Sequence, residues 1–132
     1  MTQVPRFRGL HHVTFAVRSL DAALEFFGTA FGARRDPDLD HVDASGALVA
    51  VVLTVPGVAV PVQLLLAADG TWLGAEAVSF QLASYQDLED LATHWDAAGL
   101  DRTAISRRLS GCAASVTTPD GGRVRVYAPF PG

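Results

Sequence analysis

The chain has 132 residues, 49% of them hydrophobic and 18% charged, enough apolar material for one compact domain with its own core and the opposite of a disordered composition. A formal charge of −4, with the ten basic residues scattered along the chain, argues against a nucleic-acid partner, whose phosphates call for a basic face. The longest apolar stretch, around 47–53, falls far short of the roughly 18 to 20 residues of a membrane helix, and no signal-peptide pattern opens the chain, so a cytoplasmic protein is expected.

The first predicted element is a strand over 12–17, with apolar Val13, Phe15 and Val17 on alternate positions. Ser19, followed by Leu20 and Asp21, starts a helix, because its hydroxyl can accept from backbone N–H groups that have no partner in the first turn. Leu20, Ala23, Leu24, Phe27 and Phe31 form the apolar stripe of that helix, and Gly32 supplies the left-handed residue that ends it. Three strands follow, near 41–43, 47–55 and 60–67, the last two joined by the turn Pro56-Gly57. Ala68-Asp69-Gly70-Thr71 leads into a second series.

That series repeats the first. A strand over 77–82 restores the alternation 65 residues after position 12, and Ser84 with Asp87 three residues on starts a helix. Its stripe is Leu88, Leu91, Ala92, Trp95 and Ala98, and Gly99 ends it. His94 beside the stripe is expected to face solvent, whereas Trp95 belongs to the core. Strands near 102–108, 112–118 and 123–127 complete the copy, with Asp120-Gly121-Gly122 as the last turn. Arg107 and Arg108 alternate to opposite faces. The single cysteine, Cys112, has no partner for an internal disulfide and reads as a small buried residue. The expected class is α+β: two tandem βαβββ modules, about 8–68 and 74–130, forming mixed sheets within one domain that spans 1–132.

Leu10-His11-His12-Val13-Thr14-Phe15-Ala16-Val17, the run from Leu20 to Phe27 closing at Phe31-Gly32-Ala33, and the ending Thr118-Pro119-Asp120-Gly121-Gly122-Arg123-Val124 resemble the vicinal-oxygen-chelate superfamily. That superfamily includes glyoxalase I, methylmalonyl-CoA epimerase, extradiol dioxygenases, fosfomycin-resistance transferases and bleomycin-binding proteins. The likeness covers nearly the whole chain and speaks to the fold, which serves lyases, isomerases, oxygenases, transferases and plain binders alike. It implies that ligands are held in a cup by inward side chains from the first and last strand of each module, and that the protein is a homodimer.

Strand alternation then assigns faces. With Val13, Phe15, Val17, Val62, Leu64 and Leu66 toward the helix, the cup receives His12, Thr14, Ala16, Gln63 and Leu65 from the first module. From the second it receives Ala77, Ser79, Gln81, Arg123, Arg125 and Tyr127. The resemblance makes His12, Gln63, Ala77 and Arg125 the four positions at which metal-dependent members carry histidine or glutamate. Only His12 matches: Gln63 offers a neutral amide oxygen, Ala77 no donor, and Arg125 a permanent positive charge. Zinc sites use about three protein ligands and hard cations want several oxygens, so no metal site and no cofactor are predicted, unless His41 or a partner subunit completes one. His11 alternates away from His12 and is expected on the opposite face.

The expected ligand contacts are His12, Thr14, Gln63, Ser79, Gln81, Arg125 and Tyr127, with Ser115 and Trp72 as further lining. Arg125 calls for an anionic group, either on a ligand or on an internal acid. These residues point to a metal-independent protein that binds an anionic or aromatic small molecule, as bleomycin-binding relatives sequester theirs. Two enzymatic readings stand beside it: proton transfer with His12 as base and Arg125 facing an oxyanion, and the divalent-metal chemistry of lyases, epimerases or dioxygenases.

Overall fold

The computed structural model describes residues 5, 10–67, 78–108 and 110–132. Its first module contains β1 (Val13–Val17), α1 (Leu20–Phe31), β2 (Arg34–Arg35), β3 (His41–Val42), β4 (Leu48–Thr54) and β5 (Val62–Leu66). The second contains β6 (Ser79–Gln81), α2 (Tyr85–Ala97), β7 (Ser106–Arg107), β8 (Cys112–Thr117) and β9 (Arg123–Ala128). One sheet runs β1-β5-β4-β2, with β3 also paired to β4, and the other runs β6-β9-β8-β7. In each, the strand before the helix lies parallel to the last strand of its module, and the remaining pairs are antiparallel. The α+β expectation of two modules with mixed sheets is met. Ala77, Trp72 and the junction 68–71 lie outside the described residues.

Both helix starts and both helix ends form for the reasons visible in the chain. Ser19 accepts from Ala22 N at 3.2 Å and Ser84 from Asp87 N at 3.1 Å, each covering one of the free N–H groups of a first turn. Gly32 and Gly99 sit at φ 67 and φ 72, the left-handed conformation that lets the chain turn back onto its last carbonyls. The buried arc of α1 is wider than the predicted stripe. It takes in Phe26 and Ala30 with Leu20, Ala23 and Phe27, while Leu24 and Phe31 are only partly covered. At its C-terminal end α1 also meets α2, where Phe31 lies edge-on to Trp95 and Ala30 O accepts from Trp95 Nε1.

Several elements depart from expectation, most by a residue or two at an end. The first strand begins at Val13, not at His12. β2 and the 3₁₀ turn Pro37–Leu39 fill a segment with no predicted element; Arg35 there donates through Nε to Asp40 Oδ1 at 3.0 Å. The strand expected over 102–108 is reduced to a bridge between Arg102 and Val116 and the short β7. Arg102 is pulled toward α2 by a bidentate pair with Asp96 at 2.8 and 2.9 Å, and Thr103 pairs with Ser115 through both main chain and hydroxyl, which interrupts regular pairing.

The core joins the two modules. Phe27, Leu53, Val62 and Leu64 of the first and Leu88, Trp95, Val116, Val124 and Val126 of the second belong to one buried cluster. Phe31 bridges it, lying edge-on to both Phe80 and Trp95. Two side chains of α2 cap the end of α1. Trp95 Nε1 donates to Ala30 O at 3.0 Å and His94 Nε2 to Thr29 O at 2.7 Å, both carbonyls in a last turn without helical partners. His94 is exposed as expected, yet it is tied across the modules. Cys112 is buried.

At the opposite end a second clasp joins the modules: Arg18 N, just after β1, donates to Asp120 Oδ1 in the β8–β9 turn at 3.0 Å. Asp120→Ala is expected to lower stability by about 1 kcal/mol, the contribution of one hydrogen bond to a charged acceptor at a partly exposed site. Urea denaturation checks this, and Asp120→Asn should recover most of the loss. Among the described residues, no helix is long and apolar enough to cross a membrane.

Candidate functional site

The site is built from strand register. Val62, Leu64, Val124, Val126, Ala114 and Val116 sit in the core on the helix side, so the residues between them face the other way. In the first sheet Thr14 lies opposite Gln63, and Gln63 opposite Val52. In the second Ser79 lies opposite Arg125, and Arg125 opposite Ser115. Thr14·Gln63 and Ser79·Arg125 thus occupy the same place in the repeated topology. Beside these pairs, in β4 and β8, Ala50, Val52, Ala113 and Ser115 are all buried. Thr14 Oγ1 donates to Gln63 Oε1 at 3.1 Å, which fixes the amide and leaves its NH₂ to point onward. Leu65 is 41% exposed on this face. Leu66, expected on the helix side, is equally exposed at the last position of β5.

His12 stands just before β1 and is exposed. Its Nδ1 lies 2.9 Å from Nδ1 of His11, with the rings edge-on at 83°. The expectation that His11 turns to the opposite face is corrected: alternation starts only with the strand, at Val13, so the two rings converge. One imidazole donates and the other accepts. His41 lies in β3 opposite Ala50, and Ala50 opposite Leu65, which puts His41 at the far edge of the same sheet face.

Gln81 and Tyr127 come together one step further along the second sheet, where they are register partners. With Ser110, Ala128 and Pro129 they line an open depression of about 250 Å³. Ser110 and Pro129 were missed by sequence reasoning; they lie in a hairpin loop and in the segment after β9, and only the close approach of the two chains unites them. The signal in the sequence was Gly111. A Cβ there would stand 2.3 Å from Ala128 O, so only glycine lets the hairpin lie against the end of β9. The guanidinium of Arg107 packs 4.0 Å above the Phe130 ring and anchors the segment after β9. Neither Arg107 nor Arg108 lines the depression.

The four positions at which the resemblance places metal ligands do not make a donor set here. The Gln63 amide oxygen is already engaged by Thr14, His12 Nδ1 is engaged by His11, and Arg125 is cationic. Ala77 carries no donor atom. Among the described residues, no three His, Cys, Asp or Glu side chains gather closely enough to hold an ion. What the face does offer is hydroxyls, amides, the guanidiniums of Arg123 and Arg125, and a phenol beside a hollow lined by uncharged residues, which suits hydrogen bonding and charge pairing with a small molecule.

The fold recurs among solved structures. A glyoxylase/bleomycin resistance protein/dioxygenase domain from Frankia sp. EAN1pec is 18% identical with a TM-score of 0.75, over 94% of this chain and 99% of that one. The fosfomycin resistance protein FosX of Listeria monocytogenes, in complex with Mn(II) and 1S,2S-dihydroxypropylphosphonic acid, is 16% identical with a TM-score of 0.70, over 95% and 93%. FosX of Mesorhizobium loti is 19% identical with a TM-score of 0.67, over 95% of each chain. No curated protein matches the chain significantly. Identities this low carry the fold alone, but the family model for the Glyoxalase/Bleomycin resistance protein/Dioxygenase superfamily matches residues 9–126, nearly the whole of both modules, and the chain belongs to that superfamily.

Proposed function

We propose that the protein binds an anionic or aromatic small molecule in its cup without a resident metal. The observation that carries this reading is the rank Ser79–Arg125–Ser115, a guanidinium set between two hydroxyl-bearing residues by strand register, at a position where a metal site needs a donor. Thr14 and Gln63 make the matching neutral pair in the first module. Among the described residues His12 is paired with the His11 imidazole and with no carboxylate that would orient it as a base, so binding is preferred to proton transfer. The protein acts as a homodimer in this reading; Leu65, Leu66 and Val42, 41%, 41% and 61% exposed, supply apolar surface for the second copy.

Two measurements test it. Protein purified without chelator, incubated with nickel, zinc, iron(II), manganese or magnesium and then desalted, is expected to retain well below one equivalent of metal. Retention near one equivalent that disappears in His12→Ala overturns the metal-free reading. In a thermal-shift screen of aromatic and anionic compounds, those that raise Tm are expected to bind roughly 10-fold or more weakly to Arg125→Ala, the loss of a charge-assisted hydrogen bond. Hits indifferent to Arg125 overturn its role as anchor.

A further inference from the structure

We propose that Ser110 is a phosphorylation site, taken by a protein kinase that selects its substrates by arginines placed ahead of the acceptor hydroxyl.

The recognition element is Arg107-Arg108-Leu109-Ser110. It sets two guanidiniums three and two residues before a hydroxyl, and among the serines and threonines of the chain only Ser110 has an arginine at either distance. Arginine keeps its charge at any physiological pH and presents a rigid fork of donors, so a pair at fixed spacing can be read by the carboxylates of an acidic groove. No aspartate or glutamate occurs between Asp101 and Asp120, so the segment carries no acid of its own to mask that charge.

The fold leaves this segment within reach. Ser110 is exposed in the hairpin loop between β7 and β8, and Arg107 and Arg108 are exposed as well. A kinase groove takes its substrate extended, so the hairpin must open. β7 is an edge strand of two residues, paired only through Ser106 to Ala113 and Arg107 to Cys112. Freeing it breaks those two pairs and the bond from Arg108 N to Gly111 O, while β8 stays paired to β9. Openings of this kind occur without global unfolding. One of the two arginines is held: the Arg107 guanidinium lies 4.0 Å above the Phe130 ring and must leave it to be read.

The step balances. Ser110 Oγ bonds to the γ-phosphorus of a nucleoside triphosphate, the bond from that phosphorus to the β,γ-bridging oxygen breaks, nucleoside diphosphate leaves, and the hydroxyl proton passes to a carboxylate of the kinase. The product carries close to two negative charges. The depression lined by Gln81, Ser110, Tyr127, Ala128 and Pro129, which has no ionised side chain at neutral pH, thereby becomes anionic, with the Gln81 amide and the Tyr127 hydroxyl as donors beside the phosphate.

The test is incubation of the folded full chain with cyclic-AMP-dependent protein kinase and magnesium ATP labelled at the γ-phosphate, with the site located by mass spectrometry. Uptake is expected to approach one phosphate per chain, on Ser110, and to vanish in Ser110→Ala. Arg107→Ala and Arg108→Ala should each be modified about 10-fold or more slowly, the loss of a charge-assisted contact to the kinase. Unfolding would expose the segment and speed uptake, so a slower rate cannot come from a misfolded variant. Phe130→Ala releases Arg107 and should be modified about 2- to 5-fold faster, the equivalent of one exposed cation–π contact, and adding Arg107→Ala should cancel that gain. No uptake by the folded chain, uptake undiminished in Ser110→Ala, or wild-type rates in both arginine variants overturns the proposal. A Phe130→Ala gain that survives Arg107→Ala would come from a loosened chain end and overturns Arg107 as the group that is read.

Discussion

Trp95→Ala is expected to cost about 3 to 5 kcal/mol, the range for removing a large aromatic side chain from a closed core. The indole is completely buried, stacks edge-on against Phe31 with centroids 6.1 Å apart, and donates to Ala30 O at the end of the helix in the other module. One substitution therefore removes apolar packing together with a ring contact and a helix cap that join the modules. Against a domain stability of about 5 to 15 kcal/mol, this brings the protein close to unfolding at room temperature. Urea denaturation followed by far-ultraviolet circular dichroism reads the loss. Trp95→Phe separates the parts: it keeps a ring and drops the hydrogen bond, so it should cost clearly less than alanine. Because Trp95 lies on the helix side of the sheet, small molecules that stabilise the wild type in the thermal-shift screen should bind Trp95→Phe equally well. A cost for Trp95→Ala below about 1 kcal/mol would mean that the core does not couple the modules as drawn.

The elements legible in the chain are those in which several local signals agree. Ser19 and Ser84 as caps, Gly32 and Gly99 as stops, and the alternation of Val13, Phe15 and Val17 each follow from neighbours only a few residues away, and all are in place. Phe26 and Ala30 lie outside the predicted stripe; at Ala30 the Trp95 indole, 65 residues on, donates to the end of the helix, a contact that no helical period in α1 alone reports. β2 escaped for a different reason. Arg34 and Arg35 have no apolar alternation, and a short charged strand at a sheet edge is what protects that edge from further pairing.

At the site, register was readable and loops were not. Alternation set Gln63, Ser79, Arg125 and Tyr127 on one face, since each strand has a clear helix-facing side. It failed at His11 and His12, which precede the strand and are turned toward each other by a side-chain contact that no periodicity describes. Ser110 and Pro129 had no signal of their own, because a pocket wall made of two loop segments exists only once β8 and β9 are paired.

Gly111→Ala is expected to lower stability by about 1 to 3 kcal/mol, the cost of forcing one extra methyl group into a closed space. The new Cβ would fall 2.3 Å from Ala128 O and 3.3 Å from Ala128 C, both main-chain atoms of a strand, with no flexible side chain to give way. Gly111 is not among the glycines with left-handed φ, so what it answers is space and not backbone conformation. The first pair of the hairpin, Cys112 opposite Ala128, must therefore open, and with it the tight contact in which Arg108 N donates to Gly111 O at 2.7 Å. Ser110 and Pro129 flank this point on either side, so the depression is reshaped by the same shift. Urea denaturation should show the loss of stability, and amide shifts in a heteronuclear spectrum should cluster at 108–112 and 128–130. Unchanged stability would mean that β8 and β9 already have the room that this contact denies them.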